Sequence, residues 1–111
     1  MSKETAVAFI SKQLKDSFDE LAKSKFESKQ LHDFIVRAIS DMKNNPLCGT
    51  KVPRGSWPAE YVKRYSITNL WKYNLPNAWR LIYTLETDEI RIVSIILEWF
   101  DHKSYERRFG Y

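Results

Sequence analysis

An α+β fold, with an N-terminal strand and a two-helix hairpin packed on one face of a mainly antiparallel sheet, is what the 111-residue sequence predicts. Three observations carry it. Apolar residues recur at helical spacing between Ser11 and Lys43. They alternate at strand spacing from Leu70 onward. A Pro- and Gly-rich stretch separates the two regimes. The expected order is β-α-α-β-β-β followed by a short C-terminal helix or tail, in one domain spanning residues 1–111.

Thr5–Ile10 is a short apolar run with Thr, Val and Ile, which favours a strand. Ser11 is a suitable N-cap for a first helix, because its hydroxyl can accept from an orphan N–H of the first turn. Leu14, Phe18 and Leu21 then share one face, and Lys12, Lys15, Asp16, Asp19 and Glu20 occupy the other. Ala22–Phe26 reads as a turn. A second helix follows over Ser28–Lys43, with Leu31, Phe34, Ile35, Ala38, Ile39 and Met42 at period 3.6, and Asn44, Asn45 and Pro46 end it. Two amphipathic helices in a row must bury their apolar sides, and the sheet that follows offers the surface.

Residues 46–58 carry three of the four prolines and two of the three glycines, so they read as a loop. Pro58–Tyr65 reads as one or two helical turns, with Pro58 at the first position and Glu60 favourable to the N-terminal dipole. From Leu70 the period is two. Trp71, Tyr73 and Leu75 form one side of a strand, and Pro76-Asn77 turns the chain. Trp79, Leu81, Tyr83 and Leu85 then alternate with Arg80, Ile82 and Thr84. Residues 86–89 make the next turn. Ile90–Phe100 is apolar on both faces after Arg91, as in a strand covered on both sides. Asp101 breaks the pattern before His102–Tyr111.

Composition narrows the function classes. The chain is 43% hydrophobic and 29% charged, as in a globular domain. It contains no apolar window of about 18 residues that would span a bilayer, and its N-terminus lacks the apolar run of a secretory signal. The single cysteine, Cys48, cannot form an internal disulfide. A cytoplasmic protein without membrane association is expected. Net charge is +4, but it is uneven: residues 43–80 hold seven basic side chains against one acid, Glu60. A local positive stripe suits a polyanion; a solvated surface with chance clustering is the plainer reading.

No metal-ligand spacing, phosphate-binding Gly-rich loop or serine-nucleophile motif occurs, and no cofactor is expected. His32 reads as a surface histidine and Cys48 as an inert small residue. What remains is Arg80 together with the HKSYERR segment at 102–108. Arginine presents a planar fork suited to phosphate, histidine exchanges a proton near neutrality, and tyrosine stacks on a base or donates a hydrogen bond. These groups suffice for metal-free RNA cleavage, in which the 2′-hydroxyl is its own nucleophile. Arg80 would equally pair with a carboxylate such as Glu98, with Trp99 and Phe100 as ordinary core. If the helices cover one sheet face, the other is expected to be open and basic, carrying Lys72 and Arg80.

The segment order, with Trp79-Arg80-Leu81-Ile82-Tyr83 in one strand, Ile92–Ile96 in the next and then His102-Lys103-x-Tyr105, resembles the RelE/ParE toxin superfamily of small basic proteins encoded with an antitoxin. The resemblance is most specific over Leu70–Tyr105. It implies a single RelE/ParE-like toxin domain, a cognate antitoxin protein as partner, and either of two activities. RelE-like members are mRNA endonucleases acting on the ribosome; ParE-like members inhibit DNA gyrase. A non-catalytic RNA-binding relative is a third possibility. By resemblance, Arg80 is the arginine at the scissile phosphate. His102 and Lys103 match the basic pair after the last strand. Tyr105 matches the tyrosine that stacks on or orients substrate, with Tyr111 as a competing C-terminal candidate. Lys51, Arg54, Lys63, Arg64, Lys72 and Arg107 are the expected contacts to mRNA and ribosomal RNA. The chain departs from many members in its longer 51–68 segment and in a shorter spacing from the basic pair to the tyrosine.

Overall fold

The computed structural model describes residues 3–110. The first strand, β1, is Glu4–Phe9, and two helices follow, α1 (Lys12–Leu21) and α2 (Phe26–Asn44). Ser11 caps α1 as expected: its backbone is extended, and its Oγ accepts from the Leu14 N–H at 3.1 Å. α2 begins at Phe26, two residues before the expected Ser28, and its C-cap is Asn45, whose N–H donates to the Asp41 carbonyl at 2.8 Å. A two-residue strand, β2 (Thr50–Lys51), and a short helix, α3 (Ala59–Tyr65), then precede β3 (Trp71–Asn74), β4 (Arg80–Thr87) and β5 (Arg91–Phe100). The chain closes with α4 (His102–Phe109), a helix rather than an extended tail. The α+β architecture is thus as expected, with more elements: four helices and five strands among the described residues.

The sheet runs in the order β1-β5-β4-β3-β2. The last three long strands form the expected meander, Trp71 opposite Tyr83 and Arg80 opposite Phe100. β1 lies at one edge and pairs parallel with β5, from Glu4 opposite Arg91 to Phe9 opposite Ile96. A turn after β4 is closed by Asp88, whose Oδ1 accepts from the N–H groups of Ile90 and Arg91 at 2.9 and 2.8 Å. This is the Asx-type turn that short acidic side chains favour.

One core lies between the helix hairpin and the sheet. Phe18, Leu31, Ile35, Ala38 and Met42 meet Leu75, Leu81, Tyr83 and Ile96 there. The 46–50 loop is tied to it through Tyr83, whose hydroxyl donates to the Pro46 carbonyl at 2.9 Å and accepts from the Gly49 N–H at 3.0 Å. Only glycine fits at position 49, since a β-carbon would sit 2.7 Å from both the Lys72 carbonyl oxygen and Tyr83 Oη.

The opposite face is not open. Tyr61 from α3 and Tyr105 and Phe109 from α4 pack with Val52, Ile67 and Leu70 onto Ile82, Leu97 and Phe100. The expectation of a bare basic face fails because both short helices are amphipathic. Tyr61/Tyr65 and Tyr105/Phe109 are pairs at i, i+4, which place two rings on one side of a helix. A bulge in β5 shapes this second core. Ile82 pairs with Glu98 while Tyr83 pairs with Ile96, so Leu97 is extra. The consecutive residues Leu97 and Glu98 therefore both serve the α3/α4 side.

Candidate functional site

β4 divides its side chains by pleat. Leu81 and Tyr83 enter the hairpin core, which leaves Arg80 on the α3/α4 side. Lys72 reaches the same side from β3: it pairs with Ile82, and its neighbour Asn74 pairs with Arg80. Tyr105 of α4 descends onto both. The Lys72 Nζ lies 5.5 Å and the Arg80 Cζ 5.7 Å from the centre of its ring. A cation over an aromatic face gains from the ring's quadrupole, and here one ring serves two cations. Arg80 Nη1 donates to the Trp79 carbonyl at 3.2 Å, while its buried Nε has no hydrogen-bond partner. Among the described residues neither Lys72 nor Arg80 is in an ion pair. Arg80 therefore does not pair with Glu98.

Arg80 stands opposite Phe100, so the start of β4 and the end of β5 coincide, and α4 begins two residues later. Asp101 caps α4, its carboxylate accepting from the Ser104 N–H at 2.8 Å, and that hydrogen bond holds its pKa below the ordinary aspartate value. His102 and Lys103 are exposed in the first turn. His102 Nε2 lies 2.6 Å from Glu106 Oε1, one turn on. The pairing with Glu106 leaves Nδ1 as the ring nitrogen that this carboxylate does not engage. Tyr105 is only 5% exposed and stacks on Phe109 at 4.6 Å between ring centres. It is a packed residue here, not an open stacking platform. Tyr111 lies outside the described residues.

The remaining expected contacts are spread over the elements that cover this face. Lys51 is exposed on β2, and Arg54 lies over the Trp57 ring at 5.3 Å. Lys63 is exposed on α3, and Arg64 pairs with Glu60 at 3.4 Å. Arg107 projects from α4 and reaches Ser104 Oγ at 3.4 Å. The structure brings Lys72, Arg80 and Tyr105 together, sets His102 and Lys103 at the adjoining end of β5, and leaves the others as separate exposed cations.

A cluster absent from the expected set lies where α3, α4 and β5 meet. Arg108 bridges Glu60 of α3 and Glu98 of β5, the latter at 3.5 Å. Burial raises the pKa of Glu98, although Tyr61 and Arg64 draw it back. Tyr61, fully buried beside it, is pushed well above the ordinary tyrosine value, by burial first and by the Glu98 charge second. Glu106 was also outside that set, although its i+4 spacing from His102 was readable. Cys48 is half-buried, and burial raises its thiol pKa, away from the reactive thiolate. His32 stacks on Phe18 at 4.3 Å between ring centres, which makes it part of the hairpin packing rather than a free surface group. Among the described residues no group of three or more His, Cys, Asp and Glu side chains could hold a metal ion, and no helix is long and apolar enough to cross a membrane.

No protein-family model, curated protein or solved structure matches this chain.

Proposed function

We propose that the chain is an RNA-cleaving toxin of the RelE type: a metal-free endoribonuclease that acts on mRNA at the ribosome and is neutralised by a cognate antitoxin protein. One observation supports this above the others. Lys72 and Arg80 converge on the Tyr105 ring without a carboxylate partner among the described residues, at the end of the sheet where the His102–Glu106 pair begins. Two cations outside any ion pair among the described residues, at the sheet end where a histidine follows, suit a phosphodiester.

In this reading the RNA 2′-hydroxyl attacks the adjacent phosphorus, giving up its proton as the new P–O bond forms. The bond to the 5′-oxygen breaks, and that oxygen takes up a proton. The products are a 2′,3′-cyclic phosphate and a free 5′-hydroxyl. Arg80 and Lys103 offset the charge that builds on the phosphorane oxygens. His102, oriented by Glu106, carries one of the two protons. Tyr105 acts from beneath as a positioning residue that keeps Lys72 and Arg80 side by side. Lys51, Arg54, Lys63, Arg64 and Arg107 meet the backbone of mRNA or ribosomal RNA.

The test is cleavage of mRNA on translating ribosomes, comparing the wild type with Arg80→Ala. Loss of a charge-stabilising group lowers the rate by about 10²–10³-fold, with cyclic phosphate ends in the wild-type product. Equal cleavage by both proteins, or none by either, refutes the reading. A second reading, a ParE-like gyrase inhibitor or a non-catalytic RNA-binding relative, is favoured by the burial of Tyr105 at 5% exposure. Growth arrest with intact mRNA and blocked supercoiling would select the gyrase form.

A further inference from the structure

The sheet has two edges, and they differ in kind. β2, at one end of the order β1-β5-β4-β3-β2, is two residues long, exposes Lys51 and runs into Pro53 two residues later. Short length, a lysine and a nearby proline are the devices by which a sheet stops a further strand from adding. β1, at the other end, has none of them. Its six residues, Glu4–Phe9, contain no proline and no basic side chain, and only Glu4 is charged.

The ladder shows which groups β1 offers. The Glu4 N–H donates to the Ile90 carbonyl and the Ile10 N–H to the Ile96 carbonyl, both at 2.9 Å. Alternate residues of a strand bond the same neighbour, so Glu4, Ala6, Ala8 and Ile10 serve β5. Thr5, Val7 and Phe9 aim their N–H and C=O groups out of the sheet. The hairpin does not roof this edge. Val7 and Phe9 pack against its core yet stay half-buried, and Ala8 is exposed on the other face.

We propose that β1 pairs antiparallel with β1 of a second copy, joining two five-stranded sheets across a two-fold axis at Val7. That axis sets Val7 opposite Val7 of the second copy and Thr5 opposite its Phe9, so each outward N–H meets an outward C=O. Charge favours a second copy as the occupant, and antiparallel over parallel. The segment is uncharged from Thr5 to Ser11 and carries opposite charges at its ends, Glu4 and Lys12. Neither is in an ion pair among the described residues. Lys3, next to Glu4, is within electrostatic reach of Asp88 in the turn after β4. Antiparallel copies bring Glu4 of each to the strand end where Lys12 of the other begins α1. Parallel copies would set like charge against like. Because β2 is guarded, the assembly closes at two copies instead of growing into a fibre. β3 and β4, which carry Lys72 and Arg80, lie away from the joint, so it is independent of the RNA reading.

Sedimentation equilibrium over a concentration series, with amide hydrogen exchange followed residue by residue, tests the joint. The wild type is expected to dimerise. The Thr5, Val7 and Phe9 amides gain protection as concentration rises, while those of Ala6 and Ala8 are protected throughout. Ala8→Lys, at an exposed position, sets two lysines near the axis and should stay monomeric with an unchanged circular dichroism spectrum. Glu4→Lys and Lys12→Glu should each weaken the dimer about 5-fold, and the double variant should regain wild-type affinity. A wild type that stays monomeric overturns the joint. So does a dimer that survives Ala8→Lys with the Thr5, Val7 and Phe9 amides unprotected, or one whose double variant is no tighter than the single ones. A monomer whose three amides become protected only on adding a cognate antitoxin would assign the edge to that partner and overturn the second copy.

Discussion

On one side of the sheet, α1 and α2 lay Phe18, Leu31, Ile35, Ala38 and Met42 into an apolar core. On the other, α3 and α4 contribute four aromatic side chains, Tyr61, Tyr65, Tyr105 and Phe109, and fasten themselves with Arg108 between Glu60 and Glu98. The first side resists change because 29 helical residues share the load. The second is held by helices of seven and eight residues, too short to persist without their contacts. Lys72 and Arg80 lie on the second side, where small rearrangements cost less.

The largest effect expected from this difference is on the hairpin side. Ile35→Ala, at a fully buried position, should lower stability by about 2–5 kcal/mol in urea unfolding. All amides should lose exchange protection together. An intermediate effect is expected from Phe109→Ala, about 1–2 kcal/mol, because α4 can come away without unfolding the sheet. Its signature is loss of hydrogen-exchange protection over residues 102–109 with β4 and β5 still protected. Global unfolding by Phe109→Ala would erase the contrast.

The smallest effect is a change in pH dependence. Burial raises the folded-state pKa of Glu98 above the ordinary value of 4.5. The folded protein therefore holds this proton more tightly than the unfolded chain does. Stability falls as pH rises from the ordinary value to the raised one. Glu98→Gln should flatten that part of the stability curve. The change is under about 1 kcal/mol, since a half-buried carboxyl is partly screened by solvent. An unchanged slope would show that Arg108 and Arg64 already offset the burial.

Long periodic segments were legible from residues alone. α2 shows one apolar stripe over five turns, and the β3–β5 meander shows alternation bounded by turn residues. Ser11 as a cap and Pro58 before α3 follow from local chemistry. The covered second face did not emerge, because α3 and α4 each signal burial with a single i, i+4 aromatic pair that also reads as a stacking surface. The bulge at Leu97 was invisible for another reason: in Ile95-Ile96-Leu97 every residue is apolar, so no change of phase shows. The parallel pairing of β1 has no local signal, since edge position and strand direction are settled by the whole sheet. At the candidate site, Arg80 and Lys72 share a face by pleat and register. That Tyr105 is packed onto them depends on where α4 lands, which the alternation of β4 does not encode.

The pairing of β1 with β5 also sets an order of assembly. Residues 4–9 are made well before their partners, residues 91–96, more than 80 residues later in the chain. Closing such a long loop is slow. Until then the hairpin has only part of a sheet to rest on, and β1 presents an unpaired edge on both sides. α4 then follows within two residues of β5. The cation pair and the helix that covers it are thus completed at almost the same moment. Lys72 and Arg80 therefore stand uncovered by α4 until β5 has been made.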